Sequence, residues 1–309
     1  MSLVAQEQVL FELLFDRTLR ERFVQDGIAA LSGRGLSDDE RRDFAAVRPE
    51  ALTLDATMRA GFILSQFCRS YPLSFSLVSS LPQGIELLRQ LVDVETMRAT
   101  PLQRLVTFGS RLKEQVQQQS FASAREQALV ISILDAEIGM AWTSAALKQE
   151  MLSGNPVPDE VDVPADWLRR SVTIAPFVSA AVIPSSHAGL KTALCAVTGA
   201  SLWRQLSRQP LSAAERQHVL QKHDPRILVA RAVVAQPSRC EPVTEHRTVE
   251  LSEGFASLLG HVNGSVSIAD ILQQLGQAGA GEALLGSVQQ GFWQLAQQGM
   301  LTFSVLRTR

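Results

Sequence analysis

The first half of the chain carries an unbroken helical pattern, and this limits the folds that the chain can adopt. From residue 3 to 151, apolar residues recur at three- and four-residue spacing, and no stretch alternates convincingly with a period of two. Asp16 can cap "RTLRERF", and Ser37 with Glu40 has the spacing of a capping box. Further helices are predicted at 51–68, 83–92, 101–118 and 120–151. The pattern predicts an all-α domain at 1–152.

A segment rich in proline and acidic residues ends this pattern. Residues 153–167, "SGNPVPDEVDVPADW", contain three prolines and several acidic residues but no basic one. Proline breaks a helix because it lacks a backbone N–H, and the charges keep the segment in water. The sequence therefore predicts a linker at 153–167.

Strand signals appear only beyond this linker. The stretches "SVTIAPFVSAAVI" (171–183) and "RILVARAVVAQ" (226–236) are rich in β-branched residues, and "RTVELS" (247–252) alternates with a period of two. Between the first two, residues 188–222 have a helical pattern. We expect 168–225 to be a connecting region of strand and helices.

Three predicted helices follow the last of these strands. A short helix starts after Ser252, a second is capped by Ser267 with Asp270, and a long one runs from about Glu282 to Gln298. The long helix ends at a glycine, and a strand-like tail follows it. The expected fold class is α+β, mainly α, with an all-α N-terminal domain and a winged-helix-like C-terminal domain at 226–309. That domain would combine a small antiparallel sheet with three helices.

Length, charge and cysteine content limit the partners of the chain. Its 309 residues exceed what one core usually occupies, and its net charge of −2 gives no strong field toward nucleic acid or anionic lipid. The stretches "VLFELLF" and "IAPFVSAAVI" are shorter than the roughly 20 residues that span a bilayer. We expect a cytoplasmic protein with no membrane partner. Three distant cysteines fit reduced, buried thiols.

The usual motifs of catalytic and metal sites are missing from the sequence. The five histidines are scattered, and His218 and His223 are five residues apart, whereas two imidazoles that share an ion on a helix are four apart. Neither C-x-x-C, G-x-S-x-G nor a phosphate-binding glycine loop occurs. We predict no catalytic residue, metal site or cofactor site in this chain.

A winged helix first suggests a DNA-binding regulator, but the charges argue against one. Between Thr248 and Leu306 there is no lysine or arginine. A protein that neutralises several phosphates needs basic side chains beside the groove. We expect no nucleic-acid partner, and a winged-helix transcription regulator is kept as the alternative.

Trp293 raises a separate question, because it lies outside the apolar stripe of the last predicted helix. The stripe consists of Leu284, Val288, Phe292 and Leu295. Two explanations are open. Trp293 walls a groove in which an extended peptide adds to an edge strand at 247–251, or it packs against the N-terminal domain or the final strand.

Two C-terminal stretches have a spacing typical of one family. "HRTVELSEGFASLLGHVNGSVSIADILQQL" is followed by "VQQGFWQLAQQGML". Together they resemble PqqD and the related precursor-peptide recognition elements of ribosomal peptide biosynthesis, over roughly the last 65 to 80 residues. The positions in register with the family's turn are Val262, Asn263, Gly264, Ser267 and Ile268.

In that family a leader peptide pairs antiparallel with the strand before the first helix, and the last helix grips it. The resemblance implies that the peptide-binding residues of this chain lie on the strand and on the last helix. They are Arg247, Val249 and Leu251 on the strand, and Leu285, Gln289, Trp293 and Ala296 on the helix.

The N-terminal stretch "LLFDRTLRERFVQDGIAALSGRGLSDDERRDF" is similar to helical segments in small subunits of some oxygenases and in fused accessory proteins. A helical half joined to a recognition element resembles the partner subunits of multinuclear non-heme iron oxidative enzymes, of the thiaglutamate or methanobactin type. This implies a non-catalytic subunit of a heterodimer. It would present the precursor peptide to an iron-dependent TIM-barrel enzyme that acts on a peptide cysteine. The iron would belong to the partner. A self-sufficient helical oxygenase-like enzyme is the second alternative.

Overall fold

The fold is seen in a computed structural model, which describes residues 3–157, 162–195, 197, 200–221, 223–237 and 242–304. Part of the predicted linker (158–161), Cys240 and the end of the strand-like tail lie outside these residues. The described chain is mostly helical and contains two three-stranded antiparallel sheets. This confirms the predicted class, α+β and mainly α.

The first half is built from helices, as predicted. They are α1 (Leu3–Phe15), α2 (Arg17–Asp26), α3 (Asp38–Ala45), α4 (Pro49–Ser70), α5 (Pro72–Ser79), α6 (Gly84–Gln90), α7 (Val94–Arg98), α8 (Arg104–Gln118) and α9 (Ala124–Leu152). The predicted start signals are present, since the N–H of Leu19 donates to Asp16 and Ser37 forms a capping box with Glu40. None of the predicted helices covers α5, whose residues from Leu73 to Ser79 are all buried. A helix without a solvent face gives no periodic signal.

Three more helices complete the helical half. They are α10 (His187–Leu194), α11 (Ala200–Arg208) and α12 (Ala213–Gln221). Leu190, Leu202 and Trp203 join the same core as Phe75 of α5 and Phe108 of α8. The helices of the predicted connecting region therefore belong to the helical half.

The remaining strands form two separate sheets. The central sheet contains β2 (Val178–Ile183), β3 (Arg226–Gln236) and β4 (Val243–Ser252), in the order β2-β3-β4. The terminal sheet contains β1 (Ser171–Ile174), β5 (Asn263–Ser267) and β6 (Leu301–Ser304), in the order β5-β1-β6. The stretch 171–183, which has one continuous strand signal, is divided between the two sheets by a turn at Phe177, whose φ is +60°.

The central sheet lies between the two halves of the molecule. Leu228 of β3 packs with Ile183 and with Ala136 of α9, whereas Ile227 and Val229 point into the C-terminal core. Because β3 is buried on both faces, its sequence is a continuous apolar run. The central sheet thus joins the helical half to the C-terminal domain.

The C-terminal domain adds α13 (Ala256–Leu259), α14 (Ile268–Gln277) and α15 (Glu282–Gln297) to these strands. Val288, Phe292 and Leu295 of α15 are buried in its core, as the stripe predicts. The same prediction is wrong for Leu284, which is 54% exposed. The first turn of α15 extends past the core. The winged-helix topology itself stays a prediction.

The helix α9 is unusually long and apolar. Among the described helices it is the one whose length and composition alone would allow it to cross a membrane. In this fold α9 packs against α8 and α5 on one side and against the central sheet on the other. Its approach to β2 is close, since a Cβ on Gly139 would lie 3.1 Å from Cβ of Ser179.

Candidate functional site

The strand β4 forms an edge of the central sheet. Over the part of the chain that the structure describes, β4 pairs with β3 from Ser252 to Val243 and with no other strand. An edge strand presents N–H and C=O groups with which a further strand can pair. The outer edge of β4 is therefore a place where an extended peptide could add.

Both faces of β4 are held by neighbouring elements. Val249 and Leu251 point into the C-terminal core and are buried, while Arg247 on the same face is exposed. On the other face, the hydroxyl of Thr244 donates to Ser144 Oγ at 3.2 Å, and His246 Nε2 lies 2.9 Å from the carbonyl oxygen of Met140. Because both faces of β4 are packed in part, its outer edge is the part that remains for binding.

The helix α15 approaches β4 through Gly291. A Cβ at this position would lie 2.6 Å from Cε2 of Phe255 and 3.3 Å from Cδ2 of Leu251, so only glycine allows the contact. Ser287 and Gln294, four residues before and three after, share the face of Gly291 and are exposed. The helix wall on the β4 side is therefore polar and uncharged.

Trp293 lies on the far side of α15 from β4. It follows Gly291 by two residues, which is about 200° around a helix. Its ring centroid is 5.3 Å from that of Trp167, and the Trp167 ring is 6.5 Å from the ring of Phe303 in β6. The geometry matches the second explanation offered for Trp293, because the residue packs toward the final strand through Trp167.

Of the other helix residues implied by the family resemblance, Leu285 and Gln289 also lie away from β4. Leu285 packs beside Gly276 of α14, Gln289 is exposed on the same side as Trp293, and Ala296 is buried in the core. Ala296 shares the C-terminal core with the strand residues Val249 and Leu251, whereas Leu285, Gln289 and Trp293 lie outside that core. A helical period locates the buried stripe of α15, but it does not tell which flank of the stripe meets the strand.

The contact between Trp167 and Trp293 should stabilise the domain. We expect Trp293→Ala and Trp167→Ala each to lower the free energy of unfolding. A double-mutant cycle should give a coupling of about 0.5–1.5 kcal/mol, as is typical of aromatic pairs. Urea denaturation of the two single variants and the double variant measures this. Strictly additive losses would show that the two rings do not stabilise each other.

Arg231, which is not among the predicted site residues, fixes the end of α15. Its Nη1 donates to the carbonyl oxygen of Gly299 at 2.6 Å. Gly299 has a φ of +68°, and a Cβ there would overlap the guanidinium. Because Arg231 lies on β3 beside Arg247, this bond sets the position of α15 relative to β4. The sequence feature that could have indicated this role is the single arginine inside the apolar run "LVARAVV".

A second polar cluster lies inside the helical half. The Glu137 carboxylate accepts hydrogen bonds from the N–H groups of Leu73 (2.9 Å) and Ser74 (3.0 Å), at the start of α5. Burial raises the pKa of Glu137 to about 7, that of the Cys68 thiol to about 12 and that of the Cys195 thiol to about 11. Protonated thiols are poor nucleophiles. This cluster is suited to hold α5 in place.

The histidines and acids do not gather into a metal site in the described ranges. No group of three or more histidine, cysteine, aspartate or glutamate side chains there is arranged to hold an ion. His187 is buried and His246 is half-buried, and burial lowers the pKa of both, that of His187 to about 4. Cys68 and Cys195 are free thiols.

Comparisons with known proteins find no relative of this chain. The chain matches no protein-family model, and comparison with curated proteins and with solved structures finds no similar one. The likeness to peptide recognition elements therefore remains a hypothesis drawn from the sequence motifs.

Proposed function

We propose that this chain is a non-catalytic, peptide-binding subunit that takes up an extended precursor peptide along the outer edge of β4. The observation that supports this best is the pairing of β4. It is a ten-residue strand with β3 on one side and, among the described residues, no strand on the other. Both of its faces are held, so the edge is fixed in position before a peptide arrives.

The geometry of the edge defines the kind of ligand it would accept. Ten residues at about 3.3 Å each give roughly 33 Å of strand, enough to pair with a peptide segment of several residues. Main-chain hydrogen bonds would supply affinity that does not depend on the peptide sequence. The amide of Gln294 on the neighbouring wall could donate to or accept from the peptide backbone.

The charges near the edge favour a peptide without a strong net charge. Arg247 and Glu245 lie on the same face of β4, and both are exposed. Ser287 and Gln294 on α15 are uncharged. One acidic residue of the peptide could pair with Arg247. An exposed helix surface of this composition offers no cations to neutralise the phosphates of DNA, so we do not propose a regulator.

The chemistry would reside in a partner. Because the sequence resembles partner subunits of multinuclear non-heme iron enzymes, we propose that an iron-dependent TIM-barrel protein binds this chain in a cytoplasmic heterodimer. The iron and its ligands would belong to that partner, which would modify a cysteine of the bound peptide. This chain would supply the docked, extended peptide.

Co-purification tests the proposal as a whole. The chain would be tagged and expressed with the genes that neighbour its own, and intact-mass spectrometry with metal analysis would identify what is retained. A barrel-sized iron protein together with a short peptide is the expected result. A chain that emerges alone and without metal would contradict the partner assignment, and stoichiometric metal in the isolated chain would favour the self-sufficient enzyme.

Two glutamines on α15 provide a matched pair of variants for the peptide site. Both are exposed, but Gln294 is on the β4 side and Gln289 is on the opposite side. We expect Gln294→Ala to weaken binding of the co-purified peptide roughly two- to thirteenfold, the equivalent of one hydrogen bond of about 0.5–1.5 kcal/mol. Gln289→Ala should leave the affinity unchanged. Calorimetric titration measures both, and the reverse pattern would move the groove to the Trp293 side.

A further inference from the structure

The helix α4 carries a row of exposed apolar side chains that the peptide site does not use. Leu54, Met58 and Phe62 are 62%, 65% and 67% exposed and follow one another at four-residue spacing. They lie on one face, away from the buried residues Leu52 and Ala56. We call these three residues the α4 stripe. Aligned exposure of this extent is typical of an interaction surface.

The polar groups beside the α4 stripe are already satisfied within the helix. The hydroxyl of Thr53 donates to the carbonyl oxygen of Pro49 at 2.9 Å, and that of Thr57 donates to the carbonyl oxygen of Thr53 at 2.8 Å. At the other end, the hydroxyl of Ser65 donates to the carbonyl oxygen of Phe62 at 2.6 Å. Covering this face would leave these three hydroxyls with their partners, so desolvating them costs little.

The charges beside the α4 stripe balance each other. Asp55 and Arg59 form an ion pair along the helix, with Oδ2 and Nε 2.9 Å apart. The face therefore presents one acid and one base and no net charge from this pair. This pair therefore gives the face no net charge that could complement a strongly charged partner surface.

The order of these residues is self-complementary. In two antiparallel α4 helices related by a two-fold axis at Met58, Leu54 of one copy would meet Phe62 of the other, and Met58 would meet its own copy. Asp55 of each copy would lie about 3 Å along the axis from Arg59 of the other, given about 1.5 Å per residue. We infer that the α4 stripe is a self-association surface, and that its occupant is a second copy of this chain.

The size of the stripe sets the expected strength of association. From Leu54 to Phe62 it spans about 12 Å of helix. Such a contact is small beside the roughly 800 Å² per partner of stable complexes. The dimer should therefore be reversible and depend on concentration. This inference stands apart from the proposed peptide site, which lies in the C-terminal domain.

Cysteine cross-linking tests the two-fold geometry directly. Oxidation of Met58→Cys should give a disulfide-linked dimer, because the two introduced thiols face each other across the axis. Leu284→Cys, an exposed apolar position on α15, serves as the matched control and should give only the background of the parent chain. A cross-link yield for Met58→Cys no higher than for Leu284→Cys would overturn the inference.

Sedimentation equilibrium tests the association independently of the introduced thiols. The average mass of the parent chain should rise with concentration toward that of a dimer. Met58→Asp should hold the mass at that of a monomer, and Leu284→Asp should not. A parent chain that is monomeric throughout, or a dimer that survives Met58→Asp, would overturn the inference. So would a chain monomeric alone whose Met58→Asp variant loses a co-purifying protein, since the stripe would then belong to that partner.

Discussion

Replacing Glu126 by alanine should lower the free energy of unfolding by about 3–5 kcal/mol, the range for breaking one side of a buried ion pair. Glu126 of α9 and Arg216 of α12 are both buried, with Oε1 and Nε 2.6 Å apart. The same guanidinium donates to the carbonyl oxygen of Ser80 at 3.0 Å and to its hydroxyl at 2.7 Å. Removing the carboxylate leaves a cation in the interior without its counter-charge.

A surface pair provides the control for this variant. Arg17 and Glu21 are similarly close, at 2.7 Å, but both side chains are more than half exposed. Glu21→Ala should therefore cost less than about 1 kcal/mol. Urea denaturation of both variants compares the two sites. Equal losses would show that the Glu126–Arg216 pair is not shielded from water and that α12 is not anchored by it.

Replacing Glu137 by glutamine should change how stability depends on pH. Burial raises the folded-state pKa of Glu137 from 4.5 to about 7. Between these values the folded protein keeps a proton that the unfolded chain has lost. This contribution to stability is present below pH 4.5 and is lost as the pH rises through about 7. The total is roughly 3 kcal/mol, at about 1.36 kcal/mol for each tenfold change in the ionisation constant.

Glutamine resembles the protonated acid and does not titrate. The stability of Glu137→Gln relative to the parent chain should therefore rise by roughly 3 kcal/mol between pH 4 and pH 8. His187 acts in the opposite sense, because its folded-state pKa is lowered to about 4 and protonation of the unfolded chain removes stability as the pH falls below 6.5. It is present in both proteins and cancels in the difference. Chemical denaturation at several pH values gives this difference, and a constant value would show that Glu137 is ionised in the folded protein.

Features of this fold that depend on neighbouring residues could be predicted from the sequence. The cap at Asp16 and the capping boxes at Ser37 and Ser267 are present as expected. The strand β3 has the predicted bounds, and α15 ends within one residue of its predicted end. The caps are local, because their hydrogen bonds join residues three apart. The strand β3 is marked by its run of apolar and β-branched residues, although its hydrogen bonds go to β2 and β4.

Features that depend on tertiary contacts were missed. Asn263 and Gly264, which the family resemblance places in a turn, begin β5, because Thr173 of β1 provides a strand with which to pair. The start of α5 is capped by Glu137, far away in the sequence, and its local start signal is Pro72 at the first helical position. Likewise, the wall of α15 beside β4 is set by the fit of Gly291 against Leu251 and Phe255. The helical period could not distinguish it from the Trp293 side.

Hydrogen–deuterium exchange of β4 tests the central claim most directly. The outward N–H groups of residues 243–252 should exchange more slowly when the co-purified peptide is added to the full chain, because strand addition bonds them to the peptide. The edge strand β6 of the terminal sheet serves as the internal reference and should not change. Protection of β4 with unchanged β6 is the predicted result. Peptide binding that leaves β4 exchange unaltered would contradict the proposal that this edge receives the peptide.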